Sequence, residues 1–219
     1  MNFYTWFYHT DCRVAPLQLW ATFDDLALET ERFAFFEEGN GYRGLKRFLQ
    51  IGKTVIFDNH NHALFFWYEK FLEMRKQYAG SEVQGLNVVH LDQHSDRRDN
   101  VYVFKPERLT ADYSKEVFDF VQEKTEVGNF ITPALLSGLI GNYYEIRTEA
   151  WFCDFKAPDE YVLDIDLDFW GPEMGIDFQK TLSKLQTLID QASLVTIATS
   201  PYFLDQQFAM TLLSQLKFL

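Results

Sequence analysis

In the stretch Tyr161-Val162-Leu163-Asp164-Ile165-Asp166-Leu167-Asp168-Phe169, apolar and acidic residues alternate from Leu163 onward. A period of two belongs to a β-strand, whose successive side chains point to opposite faces, so the pattern predicts a strand over 161–169 with three carboxylates on one face. Three neighbouring like charges need compensation. Divalent cations supply it if the strand is internal; an exposed edge strand with an acidic outer face is the alternative.

Outward from this stretch, other apolar runs also end abruptly in polar clusters. Leu86 to Leu91, interrupted by His90, runs into Asp92-Gln93-His94-Ser95-Asp96, and Thr54-Val55-Ile56-Phe57 runs into Asp58-Asn59-His60-Asn61-His62. Each reads as a strand feeding a turn. Leu194 to Thr199 is a further strand, and Ser200-Pro201 suits the cap and first position of a C-terminal helix. Helical spacing joins Ala63, Phe66, Trp67, Phe71, Met74 and Tyr78, with Gly80 as a stop, and also Phe178, Leu182, Leu185 and Ile189. Residues 114–124 and 133–140 read as helices, 143–148 as a strand, and 17–35 as mixed helical and irregular chain. Strands alternating with helices predict an α/β fold: a single three-layer domain over 1–219, with a mostly parallel sheet flanked by helices. Any site then belongs at the carboxyl ends of the strands.

Composition narrows the partners. The 219 residues are 47% hydrophobic, enough for one substantial core, and the 17% aromatic share, with 22 Phe, fits core packing. Lys+Arg total 20 against Asp+Glu 32, a formal charge of -12 that repels phosphate backbones and attracts cationic substrates. Nucleic acid is therefore not an expected partner. Cys12 and Cys153 are far apart and outside any C-x-x-C spacing, which suits a reducing, cytoplasmic setting. Neither a signal-peptide pattern nor a run of about 18 apolar residues occurs, so no membrane association is expected.

The polar clusters carry the chemistry. In Asp92-Gln93-His94-Ser95-Asp96 the metal-capable residues recur at every second position, which in an extended segment puts them on one side. Asp and neutral His donors suit manganese, iron or zinc; a solvated turn is the plainer reading. Asp92, Asp96, Asp166 and Asp168 together match the charge of two divalent cations. Such a pair, about 3.5 to 4 Å apart, lowers the pKa of a shared water and makes hydroxide available near neutral pH.

These residues resemble the arginase and deacetylase superfamily, and most closely the peptide arginases, which convert arginine within peptides to ornithine. The resemblance is clearest over 53–205, on Val89-His90-Leu91-Asp92-Gln93-His94-Ser95-Asp96 and Val162-Leu163-Asp164-Ile165-Asp166-Leu167-Asp168-Phe169. It implies an arginase/deacetylase-like fold and two divalent metal ions, manganese by analogy, held by His62, Asp92, His94, Asp96, Asp166 and Asp168, with Asp164 supporting the site. His62 is preferred because Asn61-His62-Ala63-Leu64 is similar to the family's first histidine turn; His60 is its neighbour. His60 and His90 are the candidates for the catalytic acid, and Glu173, Asp177 and Asp205 for holding the guanidinium. Gly128-Asn129-Phe130-Ile131-Thr132-Pro133 resembles the arginase G-N-L-H-G-x-P segment, with Ile131 in place of its proton-shuttling histidine. The implied activity is hydrolysis of the guanidinium group of arginine in a peptide substrate, giving ornithine and urea. A deacetylase-type amidohydrolase, although the adjacent His-His pair is missing, and a non-catalytic metal-binding protein are the alternatives.

Overall fold

The computed structural model describes residues 18–19, 47–77, 84–109 and 113–218. Most of the 17–35 segment, together with Tyr78 and Gly80, lies outside the described residues. Seven strands, β1 (Gln18–Leu19), β2 (Arg47–Ile51), β3 (Thr54–Phe57), β4 (Leu86–Leu91), β5 (Ile140–Ile146), β6 (Val162–Asp166) and β7 (Leu194–Ala198), lie in the order β1-β2-β3-β7-β6-β4-β5. Every neighbouring pair is parallel except β2 and β3, a hairpin whose turn uses Gly52 at φ 57, a left-handed conformation that glycine adopts without steric cost. The helices are α1 (Ala63–Gln77), α2 (Tyr113–Lys124), α3 (Ile131–Leu136), α4 (Glu149–Asp154), α5 (Phe178–Gln191) and α6 (Gln206–Leu213).

The pleat sorts the apolar side chains into two layers. Phe57, Val88, Val162 and Ala198 pack with Trp67, Val117, Phe130 and Ile131 on the side of α1, α2 and α3. Their strand neighbours Ile56, Val89, Leu163 and Ile197 pack with Phe152, Leu185, Ile189 and Leu212 on the side of α4, α5 and α6. The sheet is thus covered on both faces, and β6, with all five residues buried, is central rather than an edge. No helix among the described residues is long and apolar enough to cross a membrane.

Three boundaries differ from the sequence reading. First, β6 stops at Asp166, and Leu167–Trp170 forms a 3-10 turn because the Asp166 carboxylate accepts the Asp168 backbone N–H at 3.0 Å, replacing a ladder bond with a local one. Second, the helix expected over 133–140 is α3, ended at Leu136 before Gly138 at φ 77, and β5 begins at Ile140 rather than 143. Third, Ser200 caps no helix: Asp205 caps α6 by accepting the Phe208 N–H at 2.9 Å, and Ser200 sits in a turn at φ 46.

Candidate metal centre

The parallel register sets the floor of the site. His90 on β4 aligns with Asp164 on β6, which aligns with Thr196 on β7, so three polar side chains form one row on the face that also bears Val88 and Val162. Asp164 Oδ1 accepts from Thr196 Oγ1 at 2.6 Å, and Thr196 accepts from Trp67 Nε1 at 3.3 Å. Asp164 Oδ2 meets two imidazoles, His90 Nδ1 at 2.7 Å and His60 Nε2 at 2.8 Å. The rings stack 5.1 Å apart and 7° from parallel, with Phe130 4.9 Å from the His60 ring. When both rings are neutral and donate to Asp164, His60 Nδ1 and His90 Nε2 become lone pairs, the tautomers that bind metal.

Those two atoms converge on Asp92 Oδ2, at 3.1 and 3.2 Å. His60 Nδ1 is also 3.1 Å from Asp96 Oδ2 and 3.2 Å from Asp166 Oδ2. On the other side of Asp92, His94 Nδ1 lies 3.0 Å from Asp168 Oδ2 and 3.6 Å from Asp92 Oδ1. Two ligand sets follow, His60 with His90 and Asp92, and Asp92 with His94 and Asp168, joined at Asp92.

These close approaches are not well-aligned hydrogen bonds: His60 Nδ1, His90 Nε2, Asp92 Oδ2 and Asp168 Oδ2 are buried and have no hydrogen-bond partner. Unpaired buried polar atoms are costly and rare, so a cluster of them asks for a missing counterpart. Ligands at right angles on a metal with bonds of about 2.1 Å sit about 3.0 Å apart, close to the separations seen. Oxygen and imidazole donors without thiolate suit a hard or borderline divalent cation. The cluster can therefore hold a metal ion.

The local backbone is bent to make this possible. D-x-H-x-D does not continue β4 as extended chain: Asp92 Oδ1 accepts the His94 N–H at 2.5 Å, and Asp96 lies at φ 50. Asp96 and Ser200 are the non-glycine residues with positive φ among the described residues, a conformation costing about 1 kcal/mol or more, and both sit at this site. Ser200 is held by its N–H on Asp58 O at 3.0 Å, and its hydroxyl donates to Asp166 Oδ2 at 2.5 Å. Asp96 is pinned where its carbonyl accepts the Ile131 N–H at 3.2 Å.

Burial and mutual charge shift the titrations of His60, His90, His94, Asp92, Asp96 and Asp168. Burial opposes charge on His60, but Asp164 and Asp166 override it and raise the ring well above the usual histidine range. Burial likewise opposes His90, which the Asp164 and Asp92 carboxylates beside its two ring nitrogens carry up to about 10. His94 is raised to about 10 by Asp168 and Asp92. Burial would raise Asp92, yet the three histidines hold it well below the carboxylate range. Burial pushes Asp96 up to about 6, and burial with the Asp166 charge pushes Asp168 to about 8. Protons on the cluster offset its negative charge, a role that a bound cation could take over.

Of the residues singled out in the sequence, the fold brings together His60, His90, Asp92, His94, Asp96, Asp164, Asp166 and Asp168. His60 and not His62 meets the carboxylates. His62 is buried 6.0 Å from the Phe57 ring centroid with both ring nitrogens unpartnered, and burial lowers its pKa to about 3. Asp177 and Asp205 are N-caps of α5 and α6, and Glu173 stands on the 3-10 turn Pro172–Met174. Ile131 is core, whereas its neighbour Phe130 covers the histidine pair. Thr196 and Ser200 were not legible as site residues, although both lie at or near the end of β7, where the topology places function.

A cavity of about 260 Å³ reaches the cluster at His94, Asp96 and Asp166, and its wall includes Arg98, Gly128, Arg147 and Phe203. A larger one, about 590 Å³, lies at the amino ends of β3 and β7 beside Lys53 and Leu194 and shares no residue with the cluster. The smaller cavity is the relevant one, since it combines space with the chemistry. No family model matches the chain, and no curated protein sequence does so.

Proposed function

We propose that the chain is a divalent-metal-dependent hydrolase of the arginase type that acts on arginine within peptides. The observation that carries this reading is the convergence of unpaired imidazole nitrogens and carboxylate oxygens on either side of Asp92, at the carboxyl ends of a parallel sheet. The resemblance of Asp92-Gln93-His94-Ser95-Asp96 and Asp164-Ile165-Asp166-Leu167-Asp168 to arginase ligand segments supplies the finer assignment. A pair of cations, manganese by that analogy, would supply hydroxide near neutral pH and polarise the substrate.

His60, His90, Asp92, Asp96 and Asp166 would hold one cation, and Asp92, His94 and Asp168 the other. His60 takes the role the sequence gave to His62, because its Nδ1 faces the carboxylates. His90 is enclosed with His60 on Asp164, which suits both rings to holding metal better than to donating protons. Asp164 fixes the two tautomers, Ser200 orients Asp166, and Phe130 with Trp67 keeps water from the histidine pair. In the reaction, water adds to the guanidinium carbon, the bond from that carbon to the side-chain nitrogen breaks, and the nitrogen leaves with a proton as the ornithine amine. Urea is the other product. That proton comes from the cavity mouth, where the His94 side chain is 40% exposed.

Incubating manganese-loaded protein with capped arginine peptides, followed by a urea assay and mass spectrometry of the peptide, tests the reading. Ornithine formation is the expected result. Full metal occupancy without urea from any arginine peptide overturns it, and release of acetate from acetyl-lysine peptides instead would move the assignment to the deacetylase class.

A further inference from the structure

We propose that Arg98 anchors a carboxylate of the substrate at the mouth of the metal centre. The inference builds on the hydrolase reading and names the kind of substrate the site selects. In a chain with formal charge -12, the cavity over the cluster has an acidic floor, Asp96 and Asp166, and a wall bearing two guanidinium groups, Arg98 and Arg147.

The two arginines differ in what they already do. Arg147 is engaged within the protein: its Nε and Nη2 donate to Gln93 O at 3.1 and 2.8 Å, and Nη1 lies 3.9 Å from Glu145 Oε1. The Arg98 guanidinium has neither a hydrogen bond nor an ion pair among the described residues. Its backbone is nevertheless fixed. The Arg98 N–H donates to Gly128 O at 3.0 Å, and its carbonyl accepts from Thr132 Oγ1 at 2.9 Å. The side chain lies against Gly128, where an added Cβ would come within 3.2 Å of its Cζ and Nε. Had Arg98 evolved only to neutralise the floor, it would pair with Asp96 or Asp166, and it pairs with neither. An exposed guanidinium with no partner among the described residues, on a fixed backbone and lining the same cavity as the cluster, is suited to a carboxylate, which matches its planar fork.

The floor and wall impose a polarity on the ligand. A target guanidinium belongs over the carboxylates and is repelled by Arg98, so the complementary anion lies at the other end of the bound group. About 260 Å³ is the volume of roughly nine waters, room for one long side chain and its immediate flank. The carboxylate is therefore close to the target residue in sequence. It is either that residue's own α-carboxylate, as in a C-terminal arginine, or the side chain of an adjacent Asp or Glu.

Binding of product peptides tests this without turnover. Isothermal titration of manganese-loaded protein compares three ligands: acetyl-Gly-Orn-Gly-amide, acetyl-Gly-Orn-Asp-amide and acetyl-Gly-Orn with a free C-terminus. At least one acidic ligand should bind about tenfold more tightly than the neutral one, and which does so identifies the carboxylate's source. Arg98→Gln should collapse that ratio toward one while elemental analysis shows the metal retained, and Arg98→Lys should restore part of it. Equal affinity of wild type for all three, no binding of any, or a preference that survives in Arg98→Gln overturns the proposal; the last would place the carboxylate on the metal itself. A carboxylate preference that depends on Arg98 in a protein releasing no urea leaves the anchor standing and removes the hydrolase reading.

Discussion

Asp164 illustrates how one side chain can govern a site without facing its ligand. Buried and accepting from Thr196, His60 and His90, it is held down to about 2 against burial, chiefly by the His60 charge. Asp164→Asn should weaken manganese binding about 10- to 100-fold while the fold survives, because the amide no longer dictates both tautomers. Unchanged affinity in a competition titration would remove Asp164 from that role. Asp92 is the joint between the ligand sets, so Asp92→Ala should abolish metal retention in elemental analysis, and wild-type stoichiometry in that variant would rule out the assignment. His62 makes a different prediction. Its folded pKa, about 3, lies below the unfolded value of about 6.5, so this ring is neutral in both states above 6.5 and contributes no pH dependence there. As pH falls from 6.5 toward 3 the unfolded ring binds a proton that the folded ring refuses, and stability is lost across that window. Urea denaturation of wild type and His62→Leu at pH 7 and 4.5 should show the smaller loss in the variant, and equal losses would contradict the burial argument.

At the scale of elements, turns rather than strands do the positioning. The regular strand β6 offers Asp164 and Asp166 on one face, as its alternation predicts, but Asp168 reaches the cluster only because the chain folds into a 3-10 turn. Ser200 reads as a helix cap in sequence because Ser-Pro commonly opens helices. In the fold its left-handed backbone sends the hydroxyl to Asp166, and the helix starts six residues later. Asp177, a guanidinium candidate in sequence, accepts from the N–H groups of Gln179 and Lys180 at the start of α5. Asp177→Ala should cost about 1 kcal/mol, seen as a lower melting temperature, with metal stoichiometry unchanged. A loss of metal with no change in melting temperature would place Asp177 at the centre after all.

Over the whole molecule, the parallel sheet collects charge that no single element could tolerate. Five aspartates and three histidines converge from three strands and the turns that follow them, β3, β4 and β6, where protons or cations must balance them. Manganese at a hundredfold excess over its dissociation constant should stabilise the fold by about 2.7 kcal/mol and raise its melting temperature, and a chelator should reverse the gain. Melting indifferent to both would show that the cluster holds no such ion. The sequence by itself determined the alternation of strands and helices, the central acidic strand and most of the residues of the buried cluster, since periodicity and abrupt apolar-to-polar transitions are local signals. The tertiary structure alone decided between His60 and His62, two residues apart in one turn. Their difference lies in which ring the 3-10 turn His60–His62 sends toward Asp92 and which into apolar packing beside Phe57. Only the fold, too, brought Ser200 and Thr196 to the site, because their partners lie 30 or more residues away and leave no spacing to read.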